Sequence, residues 1–350
     1  MRTFERRYSS PFLAAALALP ATVLASTEAG AHVKWFCAYD VAGQPRGLEQ
    51  VLCLDFEWLV GLSILCLMFG CLAEGTPLGT ALLNALDRVT ARLRADTGLL
   101  VRATLGFFFV SLWTMGGIIL TPELKTDAAW IPWFQLSLAA CLIWHRTLPL
   151  AGAGIVVLFG YATWCYGAFH LADYPVFLGV AVYLILTGLN RTLYGIRPLD
   201  VVRAAAAVTL MWASVEKWAY PDWTAPLLAA KPEMTFGASP ELFMKAAGVV
   251  EFTLAFALIW TPLVRRTAAI ILAAIFVSAV FEFGKVDAIG HSGIIVVLVA
   301  IAADDARSAV RRRDVALAPA YYAAALTGFL TLYYVGHAAM YGALFSAPVI

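Results

Sequence analysis

Seven ionisable residues lie within or beside apolar stretches in the second half of the chain. They are four acids, two lysines and a histidine: Glu216, Lys217, Glu251, Glu282, Lys285, Asp287 and His291. Charged side chains in such stretches are costly to bury and usually serve a function or pair with one another. Glu251 lies deepest, and Lys217 is its expected partner because an unpaired carboxylate there would be neutral. These groups could form a polar pocket for a quinone headgroup, a small anion or a proton relay; the alternative is a structural ion pair that locks two helices together.

Four of the five histidines are expected on the same side of a membrane as these charges: His32, His170, His291 and His337. Imidazole is a good ligand for copper, and an N-terminal histidine can offer both its amine and its ring nitrogen. A copper site is therefore one hypothesis for this group. The sequence contains no HxH or HxxxH pair that would support it. The alternative is four unconnected histidines near the membrane interface.

The six cysteines show no CxxC spacing, which argues against a zinc ribbon or a thioredoxin motif. Cys37 and Cys53 flank a 15-residue segment that is expected outside the membrane. In an oxidising compartment they could form a disulfide, either structural or redox-active. The other four cysteines lie in apolar stretches and are expected to behave as small apolar residues.

The elements that must position these side chains are membrane helices. The 350-residue chain is 62% hydrophobic and 13% charged, whereas soluble domains are about 45–50% apolar and about 25% charged. Its net charge of +1 and the lack of a basic patch argue against a nucleic-acid partner. We therefore predict an all-α fold, a polytopic helical bundle whose main partner is the lipid bilayer.

The N-terminus has the pattern of a signal peptide over residues 1–31. Three arginines, Arg2, Arg6 and Arg7, precede a short apolar stretch, and Ala29-Gly30-Ala31 matches a cleavage site. Cleavage there would leave His32 as the first residue of the mature chain. The alternative is a signal anchor that is not cleaved.

About ten membrane spans are predicted after the signal peptide, because a span needs about 20 mostly apolar residues. They cover residues 55–73, 99–120, 130–145, 149–168, 174–190, 201–219, 244–262, 267–284, 288–303 and 320–344. Arginines concentrate in every second loop, as the positive-inside rule requires of cytoplasmic loops. The pattern predicts a multi-pass protein of the bacterial inner (plasma) membrane with a periplasmic mature N-terminus.

Two blocks of the chain, residues 99–190 and 201–303, share short matches in the same order. In one match, Phe169, Asp173 and Gly179 have the same mutual spacing as Phe283, Asp287 and Gly293. Each block is expected to hold four spans that start inside, which predicts two parallel four-helix repeats. The alternative is chance similarity between apolar segments. The remaining parts are residues 32–98, with a periplasmic segment, the first span and a cytoplasmic surface helix, and residues 304–350, with a basic loop and the last span.

Three motifs stand at the ends of expected helices in the second block: Glu216-Lys217-Trp218, Gly248-Val249-Val250-Glu251 and Asp287-Ala288-Ile289-Gly290-His291. In these motifs the block resembles the DoxX-like family of four-helix membrane proteins. The first block departs from the pattern, with Gly116 and Gln135 near where Lys217 and Glu251 would stand. The first block would then be a degenerate copy that serves as a scaffold. The resemblance implies a four-helix bundle and an association with periplasmic redox metabolism, without implying one reaction.

We therefore expect a membrane component of a periplasm-facing, quinone-linked redox system, with a periplasmic redox enzyme as its partner. Quinone and copper are the cofactors that these residues could hold. The alternatives are a transporter for a small solute or metal and a non-catalytic scaffold for the assembly of a membrane complex. The chain has no Walker A, GxSxG or HExxH motif. Whether the protein is itself an enzyme stays open at this point.

Overall fold

The computed structural model describes residue 34, residues 37–307 and residues 312–345. The expected signal peptide, its cleavage site and His32 lie outside the described residues. The described part of the chain is helical and contains no β-strand. Seven of its α-helices carry proline at the first or second position, where the missing N–H has no helical partner to lose.

The helices of the first half are α1 (Leu48–Val51), α2 (Leu54–Glu74), α3 (Pro77–Met115), α4 (Trp130–Cys141), α5 (Leu148–Tyr166), α6 (Ala168–Leu171) and α7 (Pro175–Gly188). Those of the second half are α8 (Pro198–Ala219), α9 (Ala225–Ala230), α10 (Pro240–Ala257), α11 (Pro262–Phe283), α12 (Lys285–Ala303) and α13 (Arg312–Phe345). Three of the long helices, α3, α5 and α11, end at Gly116, Gly167 and Gly284. Each of these glycines has a positive φ that other residues rarely adopt.

Seven helices in the described residues are long and apolar enough to cross a membrane, which supports a multi-pass membrane protein. They span Leu54–Glu74, Pro77–Met115, His145–Tyr166, Pro198–Ala219, Pro262–Phe283, Lys285–Ala303 and Val315–Gly342. The other three expected spans fall on α4, α7 and α10, which have 12, 14 and 18 residues. The count of ten and the duplication stay predictions.

Helix α3 has 39 residues and replaces two elements that the sequence analysis predicted as separate. The segment expected as a surface helix and the span that follows it form one continuous helix, because no proline interrupts them after Pro77. At 1.5 Å per residue α3 is about 58 Å long, roughly twice the thickness of a bilayer core. Part of α3 therefore extends beyond the membrane.

Helices α5 and α7 approach each other closely at a glycine, and the outside of the bundle exposes large apolar side chains. A β-carbon at Gly152 would lie 2.5 Å from the carbonyl oxygen of Ala181, so α5 and α7 approach closely at a glycine. On α2, the large side chains of Trp58 and Phe69 are exposed. In a bilayer such faces contact lipid tails.

One end of the bundle is joined by ion pairs of arginine with aspartate, and we call it the arginine end. Here α3 is joined to α11 and α12 by Arg266, which is buried and donates to the Ala302 carbonyl at 2.8 Å, to Thr90 Oγ1 at 3.0 Å and to Asp87. Arg197, just before α8, pairs at 2.9 Å with Asp304 after α12. At the opposite end, which we call the cavity end, α3 and α8 finish and α7 and α12 begin.

Candidate functional site

A cavity of about 250 Å³ lies near the cavity end, among α3, α7, α8, α11 and α12. Its walls are mostly apolar, and they include Leu105, Phe108, Phe177, Val180, Leu210, Ile275, Phe276 and Ile294. Its polar lining residues include Lys34, Thr121, Asp173, Glu216, Lys217, Glu251 and His291. A mostly apolar space with a few convergent polar groups is the usual form of a small-molecule site.

Lys34 is a lysine of the N-terminal segment that is buried inside the bundle. Its ammonium forms ion pairs with Asp173, just before α7, and with Glu216 of α8, where the Nζ–Oε2 distance is 2.7 Å. The same ammonium lies 5.5 Å from the ring centre of Trp223, a distance at which aromatic faces attract cations. A buried ammonium between two carboxylates offsets the cost of desolvating all three groups.

Glu123 extends this cluster from the loop between α3 and α4. His170 and Tyr174 both hydrogen-bond its carboxylate, which is buried. Burial alone would raise the pKa of Glu123, but the positive charge of Lys34 and the hydrogen bond of His170 outweigh it and lower that pKa from 4.5 to about 2. Glu123 is therefore a carboxylate at neutral pH, and it adds a negative charge near Lys34.

The expected partner of Glu251 is where the sequence analysis placed it, since Lys217 Nζ lies 2.7 Å from Glu251 Oε2. This pair joins α8 to α10 and lines the cavity. Both side chains are less buried than Lys34 and its partners. The counterpart in the first block, Gln135, instead holds the backbone of the α3–α4 loop by hydrogen bonds to Leu120 and Ile118.

Only some of the other members of the predicted polar cluster line the cavity. His291 lines the cavity, and its Nδ1 lies 2.9 Å from the Asp287 carboxylate one turn earlier on α12. Glu282 pairs with Lys231 of the loop after α9, away from the cavity lining. Lys285, the first residue of α12, does not line the cavity either.

The described histidines of the copper hypothesis do not converge. His170 binds Glu123, His291 binds Asp287, and His337 Nε2 donates to the Val41 carbonyl at 3.2 Å. Within residues 37–307 and 312–345, no three His, Cys, Asp or Glu side chains are placed to hold a metal ion. Each of these three histidines lies on a different helix and bonds a different partner. Because His32 lies outside the described residues, the copper hypothesis stays a prediction.

The candidate disulfide between Cys37 and Cys53 is not formed, and both thiols are free. Cys53 precedes α2, and its sulfur accepts a hydrogen bond from Lys245 Nζ of α10 at 3.0 Å. That hydrogen bond lowers the pKa of the Cys53 thiol. Cys53 thus contacts a lysine rather than a second cysteine.

The sequence analysis did not identify the most buried part of the site. The sequence analysis singles out neither Lys34 nor Glu123, and it names Asp173 only as a member of a repeat match. All three residues lie before or between helices, where charged residues are common. Their residue types alone therefore did not indicate a site. The matching spacing of Asp173 and Asp287 was the one feature that could have identified an aspartate at this end of the first block.

Comparison of the chain with protein-family models, curated proteins and solved structures finds no match. The fold and the site together define a multi-pass helical membrane protein with a cavity inside its bundle. The cavity holds a buried lysine between two carboxylates.

Proposed function

We propose that this protein is a quinone-binding membrane component of a redox system in the bacterial inner membrane. One observation carries the proposal: an apolar cavity within the bundle ends in the buried cluster of Lys34, Asp173 and Glu216. A quinone has the matching chemistry, because its ring and tail are apolar and its two oxygens are polar. The DoxX-like resemblance of the second block points to the same class of system.

The position of the cavity suits a ligand that is dissolved in the bilayer. Ile275 of α11 lines the cavity and is 45% exposed. A ring could therefore enter past α11 while its tail stays among the lipids. A volume of about 250 Å³ lies just below the usual range of ligand pockets and suits a single substituted ring.

The proposed partner is a periplasmic redox enzyme that exchanges electrons with the bound quinone. The arginine end matches the cytoplasmic loops of the positive-inside rule, which would place the cavity end toward the periplasm. The buried polar cluster there would orient the ring at the end of the cavity. The quinone would supply the electron chemistry when bound.

Gly293 offers a direct test, because it lines the cavity and a β-carbon there meets no atom within 4 Å. Gly293→Leu should fit the backbone of α12 and fill the cavity. We expect solvent extraction of the purified wild-type protein to yield a bound quinone, and Gly293→Leu to lower that yield at least about tenfold because the ring loses its space.

Gly160→Leu on α5 is the matched control, since its β-carbon also meets no atom within 4 Å and Gly160 does not line the cavity. The control should keep the wild-type yield of quinone. Wild-type protein without quinone, both as purified and after incubation with added quinone, would contradict the proposal. That result would favour a transporter or an assembly scaffold.

A further inference from the structure

The two carboxyl groups that flank Lys34 also contact each other. Glu216 Oε2 lies 2.7 Å from Lys34 Nζ, and Asp173 accepts a hydrogen bond from the same ammonium. The side chains of Asp173 and Glu216 are hydrogen-bonded to each other as well. Carboxylates only accept hydrogen bonds, so a hydrogen bond between two carboxyl groups requires a hydrogen atom on one of them. The geometry therefore requires one proton within this pair.

The charges around the pair lead to the same count. Lys34 supplies one positive charge, whereas Asp173, Glu216 and the neighbouring Glu123 are three carboxyl groups. Asp173 and Glu216 are only 4% and 7% exposed. Two carboxylates that share such a buried place repel each other, and one of them then keeps its proton. Without that proton, Asp173 Oδ1 would be buried with no donor.

The other polar groups close to Glu216 add no further positive charge. Tyr333 of α13 donates to Glu216 Oε1 at 3.5 Å, and a phenol is neutral at pH 7. Lys217, the next residue of α8, lies against Glu251 at 2.7 Å. Among the described residues, Lys34 is thus the one ammonium that forms ion pairs with Asp173 and Glu216.

We propose that Asp173 and Glu216 share one proton and form a proton-exchange site that opens to the cavity. Glu216 lines the cavity, and 9% of its side-chain surface is accessible. A proton can therefore reach the pair from the cavity. This inference goes beyond the proposed function, because it needs no quinone. Reduction of a quinone takes up protons and its reoxidation releases them, so the pair would give a bound quinone a group for proton exchange.

Infrared spectroscopy of the purified full chain tests the shared proton, because a protonated carboxyl group and a carboxylate absorb in different bands. We expect the wild type at pH 7 to show the band of a protonated carboxylic acid, which exposed acids lack at that pH. Glu216→Gln should fold and lower this band by the intensity of one acid. The amide N–H of the glutamine replaces the acid O–H as the donor to Asp173.

Asp173→Asn distinguishes a shared proton from two independent acids. It leaves Glu216 in place, but it should remove the same intensity from the band, because Glu216 alone beside Lys34 can ionise. The double variant should remove no more than either single variant. Glu233→Gln, at an exposed glutamate after α9, is the matched control and should keep the wild-type band.

Transfer of the protein into D₂O tests the access of the proton through the cavity, since exchange for a deuteron shifts the band. Gly293→Leu, which fills the cavity, should slow this shift at least about tenfold, because exchange would then need a local opening of the bundle. Gly160→Leu is the matched control, because Gly160 does not line the cavity, and it should exchange at the wild-type rate.

Three results would overturn the shared proton: a wild type without the carboxylic acid band at pH 7, a Glu216→Gln variant that keeps the full band, or one that does not fold although glutamine keeps both shape and donor. Equal exchange rates for the wild type and Gly293→Leu would overturn the access through the cavity. None of these results depends on bound quinone, whose extraction tests the proposed function separately.

Discussion

At the scale of single residues, Glu123 shows how a loop carboxylate becomes part of a membrane site. It receives hydrogen bonds from His170 and Tyr174 and lies in the field of Lys34. His170 and Tyr174 come from the region of α6 and the start of α7, whereas Lys34 comes from the N-terminal segment. The charge of Glu123 therefore holds the α3–α4 loop, the α6–α7 region and the N-terminal segment in one arrangement.

Replacing Glu123 by Gln should destabilise the protein at neutral pH and have little effect in acid. The pKa of Glu123 is lowered from 4.5 to about 2, so its contribution is fully present above pH 4.5 and is lost as the pH falls toward about 2. The depressed pKa corresponds to about 3 kcal/mol at neutral pH. The measurement is thermal unfolding in detergent, for wild type and Glu123→Gln, between pH 7 and pH 3.

The difference between the two midpoints should be largest at pH 7 and should shrink below pH 4.5. Glu233→Gln, at an exposed glutamate in the loop after α9, is the matched control and should match the wild type throughout. A difference that stays constant from pH 7 to pH 3 would mean that the charge of Glu123 contributes nothing to the stability of the fold.

The sequence predicts the contact between Lys217 and Glu251 for a physical reason that does not apply to Lys34. An acid deep in an apolar helix must find a partner, and few cations are within reach, so the pairing can be inferred. Lys34, Glu123 and Asp173 lie outside the long helices, where charge is ordinary in any protein. Their burial results from how the chain packs onto the bundle, which local composition does not encode.

At the scale of helices, the contact between α8 and α10 depends on a single missing side chain. Gly248 of α10 faces Trp218 of α8, whose Nε1 donates to the Lys245 carbonyl at 3.3 Å. Phe56 of α2 packs edge-on against the same indole at 4.9 Å. The indole thus connects three helices, and Gly248 provides the space that it occupies.

Gly248→Ala should therefore destabilise the protein. The added β-carbon would lie 2.3 Å from Trp218 Nε1, and the indole is 3% exposed and packs against Phe56 and Phe252. Overpacking of this kind costs about 1–3 kcal/mol, more than alanine gains in a helix. The measurement is the apparent melting temperature in detergent, which should be lower for Gly248→Ala than for the wild type.

Gly106→Ala on α3 is the control for Gly248→Ala, because a β-carbon at Gly106 meets no atom within 4 Å. It should leave the melting temperature unchanged or raise it slightly, since alanine favours a helix. Equal melting temperatures for both variants and the wild type would show that α8 and α10 can separate without cost.

The positions of most helices follow from the sequence, and their lengths follow less well. Apolar stretches predict α2, α5, α8, α11 and α12 because lipid demands long apolar helices. The continuity of α3 was not predicted, since a change from polar to apolar composition does not break a helix unless proline or a capping residue is present. The short α4 and α7 lie where longer spans were expected.

At the scale of the whole molecule, the charges are distributed unequally between the two ends of the bundle. The arginine end carries a network in which Arg197, Arg203 and Arg265 alternate with Asp200 and Asp304. The cavity end carries the buried cluster around Lys34. The orientation with the arginine end in the cytoplasm follows from the positive-inside rule and stays a prediction.

Cysteine labelling tests this orientation. Tyr194 is fully exposed in the loop between α7 and α8, at the arginine end, and Asp222 is exposed at the cavity end. In a variant lacking the native cysteines, Asp222→Cys should react with a membrane-impermeant maleimide in intact spheroplasts. Tyr194→Cys should react only after the membrane is permeabilised. The reverse pattern would mean that the bundle lies the other way round in the membrane.

The position of Lys34 has a consequence for the order in which the site can be assembled during synthesis. Lys34 is made early, Asp173 follows 139 residues later, and Glu216 later still. Chains emerge from the ribosome at about 5–20 residues per second, so the lysine waits several seconds for its carboxylates. Until α8 has entered the bilayer, the N-terminal segment lacks the Glu216 contact that helps to hold it in the bundle. The buried ion pairs therefore close late, and ligand binding at this site would report that the chain has been inserted at least through α8.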